Sequence, residues 1–446
     1  MRDISIHYLK KTPVLFFLIK KPYFWLKKIE LYFNRYQSRD YRAKHYRKQI
    51  DGYLNNKTKL SYEKISKKIE REIHKRTKFK LKLTSKWWLL FFGLIDFKKK
   101  SIDINKSVDD LFNETLCVAF SQNSSVVLLE LYALILEYGL YSVGCIIRCQ
   151  AAKLVLEEGF NNKSSQNILE RYLSAAFEEG EYAELQNSLE KLIASNRDNK
   201  EIFLLDLLLH KIIMKVRNKK IIKDEYLERN YLETIKGKRV AIVGPSPTNL
   251  MNGKEIDTFD VIVRFNYKGE NLSTNYYGSR TDISYFNGAN SKDIEKNYKG
   301  LDIGDLKAAV YKIPVEENLL ICKCNRRMPL PIEYFMLDNS PYALQNVVAD
   351  LLLYKPLEIK VFSIDMFLTN KRDISYGVMD KSFWDEFYPR AGHDPYSNYL
   401  FIEYLYSNNF ISVDLKLKKI LDLGIVEYMK ELQEVYLDKS LFAASV

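Results

Sequence analysis

The stretch KRVAIVGPSPTN, residues 238–249, decides the fold. A short apolar, β-rich run is stopped by Gly244-Pro245-Ser246-Pro247, the composition of a buried strand entering a turn. TFDVIVRFN (258–266) is a second run of this kind and EIKVFSIDMF (358–367) a third. Between them lie helix candidates, notably Pro341–Tyr354, with a proline at its start and an apolar stripe through Val347, Leu351 and Leu352. Strands alternating with helices predict an α/β fold with a Rossmann-like parallel sheet, whose ligands sit at the carboxyl ends of the strands. A turn of this composition, followed by a helix, aims backbone N–H groups at an anion. It is not the GxGxxG fingerprint, because Gly244 stands alone, and a nicotinamide or flavin oxidoreductase is therefore disfavoured.

Upstream, residues 101–235 are nearly free of proline and low in glycine, with apolar residues at helical spacing. LEYGLYSVGCIIRCQAAKLVLEEG (136–159) resembles FEEGEYAELQNSLEKLIASN (177–196). In each, a helix ends at a glycine, Gly139 or Gly180, and another begins at the following tyrosine. This pattern predicts an all-α domain of stacked helical hairpins, tetratricopeptide-like, that braces its neighbour. The charged stretch Lys215–Lys238 reads as a connecting helix.

The 446 residues carry a formal charge of +12, unevenly divided. Residues 1–100 hold 28 Lys and Arg against 8 Asp and Glu, the remainder 41 against 49. KKPYFWLKKIELYFNRY (20–36) and SKWWLLFFGLIDFKKK (85–100) set aromatics among cations. Three roles fit: an arm lying in the headgroups of an anionic membrane, a nucleic-acid surface, and a helical arm packing its aromatics on its own body. The Trp-Trp-Leu-Leu-Phe-Phe run suits lipid better than phosphates, so a membrane-associating arm is the expectation and nucleic acid is disfavoured. The apolar runs Val14–Ile19 and Trp87–Ile95 fall well short of the roughly 20 residues of a spanning helix, and no secretory signal is visible. Five cysteines are too few for a disulfide scaffold and have no second ligand pair at zinc spacing, so Cys322 and Cys324 read as inert thiols in a reducing compartment. With 47% hydrophobic and 28% charged residues, wholesale disorder is excluded.

Downstream of the first turn the order of residues is more specific. EIDTFDVIVRFN (255–266) is followed by YGSRTDISYFNG (277–288). The run from Val240 to Thr281 resembles the large sialylmotif of animal-type sialyltransferases, where a Val-Gly-Asn-Ser-Gly-like turn leads to Glu-Ile-Asp, an Arg-x-Asn and a Gly-Ser-Arg/Lys-Thr. Gly244, Ser246, Glu255-Ile256-Asp257, Arg264, Asn266 and Gly278-Ser279-Arg280-Thr281 fall in register. Pro245 stands where the family has its first Asn, with Asn249 as a stand-in. NSPYALQNVVADLLLYKPLEIKVFSIDMF (339–367) is similar to the small sialylmotif, with Tyr342-Ala343 for Thr-Gly and Ile364-Asp365 for Gly-Phe. AGHDPYSNYLFIEYLYSNNFI (391–411) resembles the very small sialylmotif, a His heading a helix, with Asn398 at the place of a Glu. The resemblance lies within the last 210 residues or so and touches none of the first 235.

The resemblance implies a catalytic domain over 236–446 of the GT-A-variant type, preceded by the helical-repeat domain (101–235) and the basic arm (1–100). It implies an inverting, metal-independent glycosyltransferase that moves sialic acid, or a related ulosonic acid such as Kdo, from a CMP-sugar. Such a transfer breaks a tertiary C–O bond through an oxocarbenium-like state. It needs a grip on the nucleotide, stabilisation of the departing phosphate and a base for the acceptor hydroxyl. No cofactor or metal is required where Tyr hydroxyls and a helix N-terminus stabilise the leaving charge. His393 is the one histidine after His210, and an ordinary imidazole pKa near 6.5 suits the base. Gly244, Ser246, Asn249, Asn266, Ser340 and Tyr342 are the expected nucleotide ligands, with Tyr376, Tyr388 and Tyr396 as further candidates to face the phosphate. A purely structural alternative for Arg264 is pairing with Asp257 or Asp260, and Glu255 and Asp257 read as structural. The cationic aromatic arm, with no spanning segment or signal and few cysteines, places the expected setting at the inner face of a bacterial membrane, with a lipopolysaccharide or capsule glycan as acceptor. The rival is a non-catalytic helical-repeat interaction protein with a degenerate nucleotide-sugar-binding domain.

Overall fold

Residues 38–55, 61–96, 103–159, 166–195, 208, 228–267, 272–287, 306–311, 325–327, 329, 332, 335–337, 340–369, 371, 373 and 393–442 are described by the structure, a computed structural model. The N-terminal half is helical: α1 (Ser38–Asn55), α2 (Tyr62–Thr77), α3 (Ser85–Ile95), α4 (Ile104–Leu116), α5 (Ser125–Glu137), α6 (Tyr141–Glu158), α7 (Gln166–Glu178) and α8 (Tyr182–Ser195). α5 with α6, and α7 with α8, form the two hairpins expected. Gly139 and Gly180 take φ of 70° and 74°, a left-handed conformation that side chains resist. The next amides reach back across each helix end, Leu140 N to Ile135 O (3.3 Å) and Glu181 N to Ala176 O (2.8 Å).

The aromatic run of α3 is interior. Trp87, Trp88, Phe91 and Phe92 are buried, Trp87 stacking on Phe91 at 5.4 Å and Trp88 on Phe92 at 5.3 Å. Both indoles have hydrogen-bond partners, Trp87 Nε1 donating to Thr115 Oγ1 (2.9 Å) and Trp88 Nε1 to Glu70 Oε1 (2.7 Å). The expectation that this run faces lipid is therefore corrected: its large apolar area and its polar N–H groups are both satisfied inside the protein. α1–α4 share one hydrophobic core with α5–α8. KKPYFWLKKIELYFNRY (20–36) lies outside the described residues. Among the described residues no helix is long and apolar enough to cross a membrane.

After α9 (Arg229–Ile235), which falls in the expected connecting helix, the chain alternates. β1 (Arg239–Val243), α10 (Gly253–Ile256), β2 (Val261–Phe265), α11 (Thr274–Tyr277), β3 (Ile283–Phe286), β4 (Ala308–Tyr311) and β5 (Asn325–Arg327) come first. α12 (Ala343–Leu353), β6 (Glu358–Phe362), α13 (Pro395–Ser407), β7 (Ser412–Val413), α14 (Leu415–Leu421) and α15 (Gly424–Phe442) follow. All pairings are parallel and the order is β5-β4-β3-β2-β1-β6-β7, so the sheet is the parallel α/β sheet expected. Successive strand residues serve opposite faces. Val240 and Ile242 join the large core with α12 and α13, while Ala241 and Val243 join a smaller one with Ile256, Phe259 and Tyr277.

The chain winds outward from β1 to β5 and then returns to lay β6 on the other side of β1. That reversal puts the topological switch point at the carboxyl ends of β1 and β6, where open α/β sheets bind ligands. The helical half packs directly on the second half. Ser142 N and Oγ both donate to Gln433 Oε1 (3.2 and 2.9 Å), and Phe177 meets Phe335 and Phe401 at ring separations of 5.0 and 5.8 Å.

Candidate functional site

The turn after β1 leans on the loop after β6. Gly244 N donates to Phe362 O (2.9 Å) and Ser246 N to Ser363 O (3.1 Å). A Cβ on Gly244 would lie 2.1 Å from Ile364 Cδ1 and 2.5 Å from Ser363 O, so glycine is required by close approach. These two amides, expected to face an anion, are engaged with backbone carbonyls instead; the parallel register of β1 and β6 brings those carbonyls beside them. Ser246 is buried, its carbonyl accepting from Tyr277 Oη (3.1 Å). Asn249 is exposed farther along the turn. Asn266 ends β2 at φ 51°, its N bonded to Tyr285 O (2.8 Å) and its Oδ1 accepting from Asn287 N (2.9 Å).

The residues that follow the turn in the motif form its support. Arg264 is fully buried and donates to Thr281 Oγ1 (2.9 Å) and to the carbonyls of Tyr277 and Arg280. The alternative of a pairing with Asp257 or Asp260 does not match these bonds: Asp257 accepts from Ser279 N (2.9 Å) and Asp260 from Arg239 N (2.8 Å), so both carboxylates cap backbone donors. Gly278, at φ 75°, lies where a Cβ would meet Asp257 Oδ1 at 2.7 Å. Glu255 pairs with Lys360, consistent with the structural role read for it.

His393, Ser340 and Tyr342 come together, although 50 residues separate them in sequence. His393 Nδ1 lies 3.3 Å from Ser340 O, its ring stacks on Tyr342 at 5.6 Å, and Tyr342 Oη donates to His393 O (2.7 Å). When Nδ1 carries the ring hydrogen and donates to Ser340, Nε2 is left unprotonated, the form a base requires. Asn398 joins the starts of α12 and α13: Oδ1 accepts from Tyr342 N (2.7 Å) while Nδ2 donates to Asp394 O (2.8 Å). A Glu here could accept but not donate, so this departure from the family pattern has a use of its own. Burial raises the Tyr342 hydroxyl well above its ordinary pKa.

The two groups meet through the segment after β6. Tyr342 packs on Phe367 at 4.6 Å, four residues from the Ser363 that holds Ser246. Lys416 Nζ donates to Pro247 O (2.7 Å) and lies 3.6 Å from Asp365 Oδ2. Asp414 takes Ser363 N (2.7 Å) and Leu417 N (2.9 Å), and burial lifts its carboxyl above the usual range. Ser363, Met366 and Phe367 have φ of 54°, 49° and 70°, strained for residues with side chains; such strain gathers at functional sites. The buried Ser363 Oγ has no hydrogen-bond partner among the described residues.

Behind His393 sits a buried charge cluster that sequence reasoning missed. Arg148 of α6 donates through Nε to Asp394 Oδ2 (2.9 Å) and through Nη2 to Glu178 Oε1 (2.8 Å) and Ser397 Oγ (2.9 Å). Tyr132 Oη donates to Asp394, whose Oδ1 also caps α13 by accepting from Tyr396 N (2.8 Å). Burial raises the Glu178 carboxyl above its usual range, against the pull of Arg148. Tyr396 lies on this side, its ring 5.3 Å from the Arg148 guanidinium. The available signal was a lone arginine inside the apolar stretch VGCIIRCQAA (143–152). Tyr376, Tyr388, Cys322 and Cys324 lie outside the described residues. Among the described residues no group of three His, Cys, Asp or Glu is placed to hold a metal ion. Compared with protein-family models and with curated proteins, the chain matches none.

Proposed function

We propose that the switch point at the carboxyl ends of β1 and β6 binds a CMP-activated sugar, and that the protein is an inverting glycosyltransferase of GT-A-variant type, acting without a metal. One observation carries the reading: the turn after β1, from the first segment, is bonded to Phe362 and Ser363 of the second, and His393 of the third stacks on Tyr342, which packs on Phe367, so the three segments resembling sialylmotifs are linked beside the switch point. His393 takes the proton of the acceptor hydroxyl. Ser340 and Tyr342 fix its ring, and the start of α12, which has no capping side chain, faces the departing phosphate with its backbone N–H groups. Ser246, Asn266 and the turn around Asn249 contact the nucleotide. The donor is CMP-sialic acid or CMP-Kdo, and the acceptor a lipid-linked surface glycan met at the inner face of the cell membrane.

Purified protein incubated with each CMP-sugar should release CMP slowly even without acceptor. His393→Ala should lower that release about a hundredfold or more, the usual contribution of a general base, with an unchanged melting curve. Release unaltered in the variant would remove His393 from the mechanism. A second reading, a nucleotide-sugar domain without activity, is favoured by one observation: the Gly244 and Ser246 amides are already bonded to Phe362 and Ser363. The absence of CMP release from either donor, together with measurable CMP binding, would select it.

A further inference from the structure

The aromatics of α3 are occupied in the core, yet the same region carries an exposed surface that the residues at the switch point do not use. Residues 74–89, HKRTKFKLKLTSKWWL, contain six Lys and Arg and no Asp or Glu. This stretch ends α2, crosses to α3 and is firmly held. Lys78 closes α2 at φ 67°, Leu81 is buried, and Asn123 clamps the crossing from both sides, Oδ1 accepting from Lys82 N (2.7 Å) and Nδ2 donating to Lys82 O (3.2 Å). Thr84 then caps α3 by accepting from Trp87 N (2.9 Å). With Leu81 turned inward, Lys78, Lys80 and Lys82 are exposed around Phe79, which is 51% exposed, and Leu89 is 58% exposed on the first turns of α3.

We propose that this surface docks the protein on an anionic lipid bilayer, the cations meeting the headgroups and Phe79 and Leu89 entering the interfacial layer. Charge complementarity sets the partner class: Lys75 and Lys86 pair with Glu72 and Glu114, while the exposed Lys78, Lys80 and Lys82 gain from every negative headgroup within a Debye length. The exposed apolar pair decides between lipid and nucleic acid. Stacking successive bases needs several exposed aromatic faces, and here Trp87, Trp88, Phe91 and Phe92 are buried and Leu89 has no π face, which leaves Phe79 as the one exposed Phe or Trp ring of the stretch. Insertion into the interface asks only for apolar area amid cations. The surface gives a physical footing to the membrane location proposed above and is independent of the donor chemistry, because CMP release in solution does not require it.

The test uses the full chain with vesicles of phosphatidylcholine alone or mixed with phosphatidylglycerol. Sedimentation should require the anionic lipid and weaken as salt rises. Lys78→Ser/Lys80→Ser/Lys82→Ser should lower the partition coefficient about tenfold or more, with melting and CMP release as in the parent. Phe79→Ser should lower it several-fold without altering the salt dependence. A triple variant that partitions within about twofold of the parent overturns the assignment, because binding would then reside elsewhere. Tighter binding of a single-stranded oligonucleotide than of the anionic vesicles, lost in the same variant, overturns it in favour of nucleic acid.

Discussion

Two fully buried arginines organise two regions of this protein in opposite ways. Arg264 serves the carboxyl end of β2 from within: it donates to Thr281 and to the carbonyls of Tyr277 and Arg280, neighbours within 17 residues of sequence. Arg148 serves the His393 side from outside. It meets Asp394 across 246 residues and Glu178 across 30, and so welds the helical half to the first turn of α13. Local dipoles satisfy the first cation, and full opposite charges satisfy the second. A guanidinium held by hydroxyl and carbonyl groups can lose its place with modest damage. One held between carboxylates leaves them stranded when it goes.

The largest expected effect follows from that difference. Arg148→Met should destabilise the protein by about 3–5 kcal/mol, the usual result of removing one member of a buried ion pair, read by chemical denaturation. The loss should depend on pH. Burial holds the Glu178 carboxyl above its ordinary value, so the folded state keeps a proton that the unfolded chain releases. Stability from this group is therefore full at pH below the ordinary carboxylate range and falls as pH climbs toward the raised value. Removing Arg148 raises that value further, so the variant should be closest to the parent near pH 5 and farthest from it near pH 8. An equal loss at both would break the contrast between the two arginines.

Arg264→Met comes next, at about 2 kcal/mol, because it strips a donor from several buried acceptors without isolating a charge. Its loss should be flat between the same two pH values. Tyr342→Phe should have the smallest effect on stability, about 1 kcal/mol for the single hydrogen bond to His393 O. It should lower CMP release more than that figure suggests, because a loosened imidazole is poorly aimed. Equal effects of the two Arg variants on release would show that the carboxyl end of β2, and not α13 alone, sets the position of His393.

Much of the architecture was legible because it is local. β1, β2 and β6 declare themselves as apolar runs ended by turn residues, and Gly139 and Gly180 mark helix ends because few other residues accept φ near 70°. The site was legible only in part. Ser340, Tyr342 and His393 head helices, a placement that sequence reveals, whereas the carbonyls met by the Gly244 and Ser246 amides depend on the register between strands 119 residues apart. Trp87 to Phe92 misled for a simple reason: the composition that suits a lipid interface also suits a protein core, and only the neighbours distinguish them. Arg148 was visible as an oddity, but its partners were not.

The long reach of Arg148 also has a meaning in time. As a ribosome delivers the chain, α5, α6 and α7 emerge with their cation and Glu178 in place, yet Asp394 and Ser397 follow only after some 200 further residues. Until then a seam meant to be dry stays open, while β1 waits 119 residues for β6. The nascent helical half is thus a half-built joint, whose closure waits for the first turn of α13.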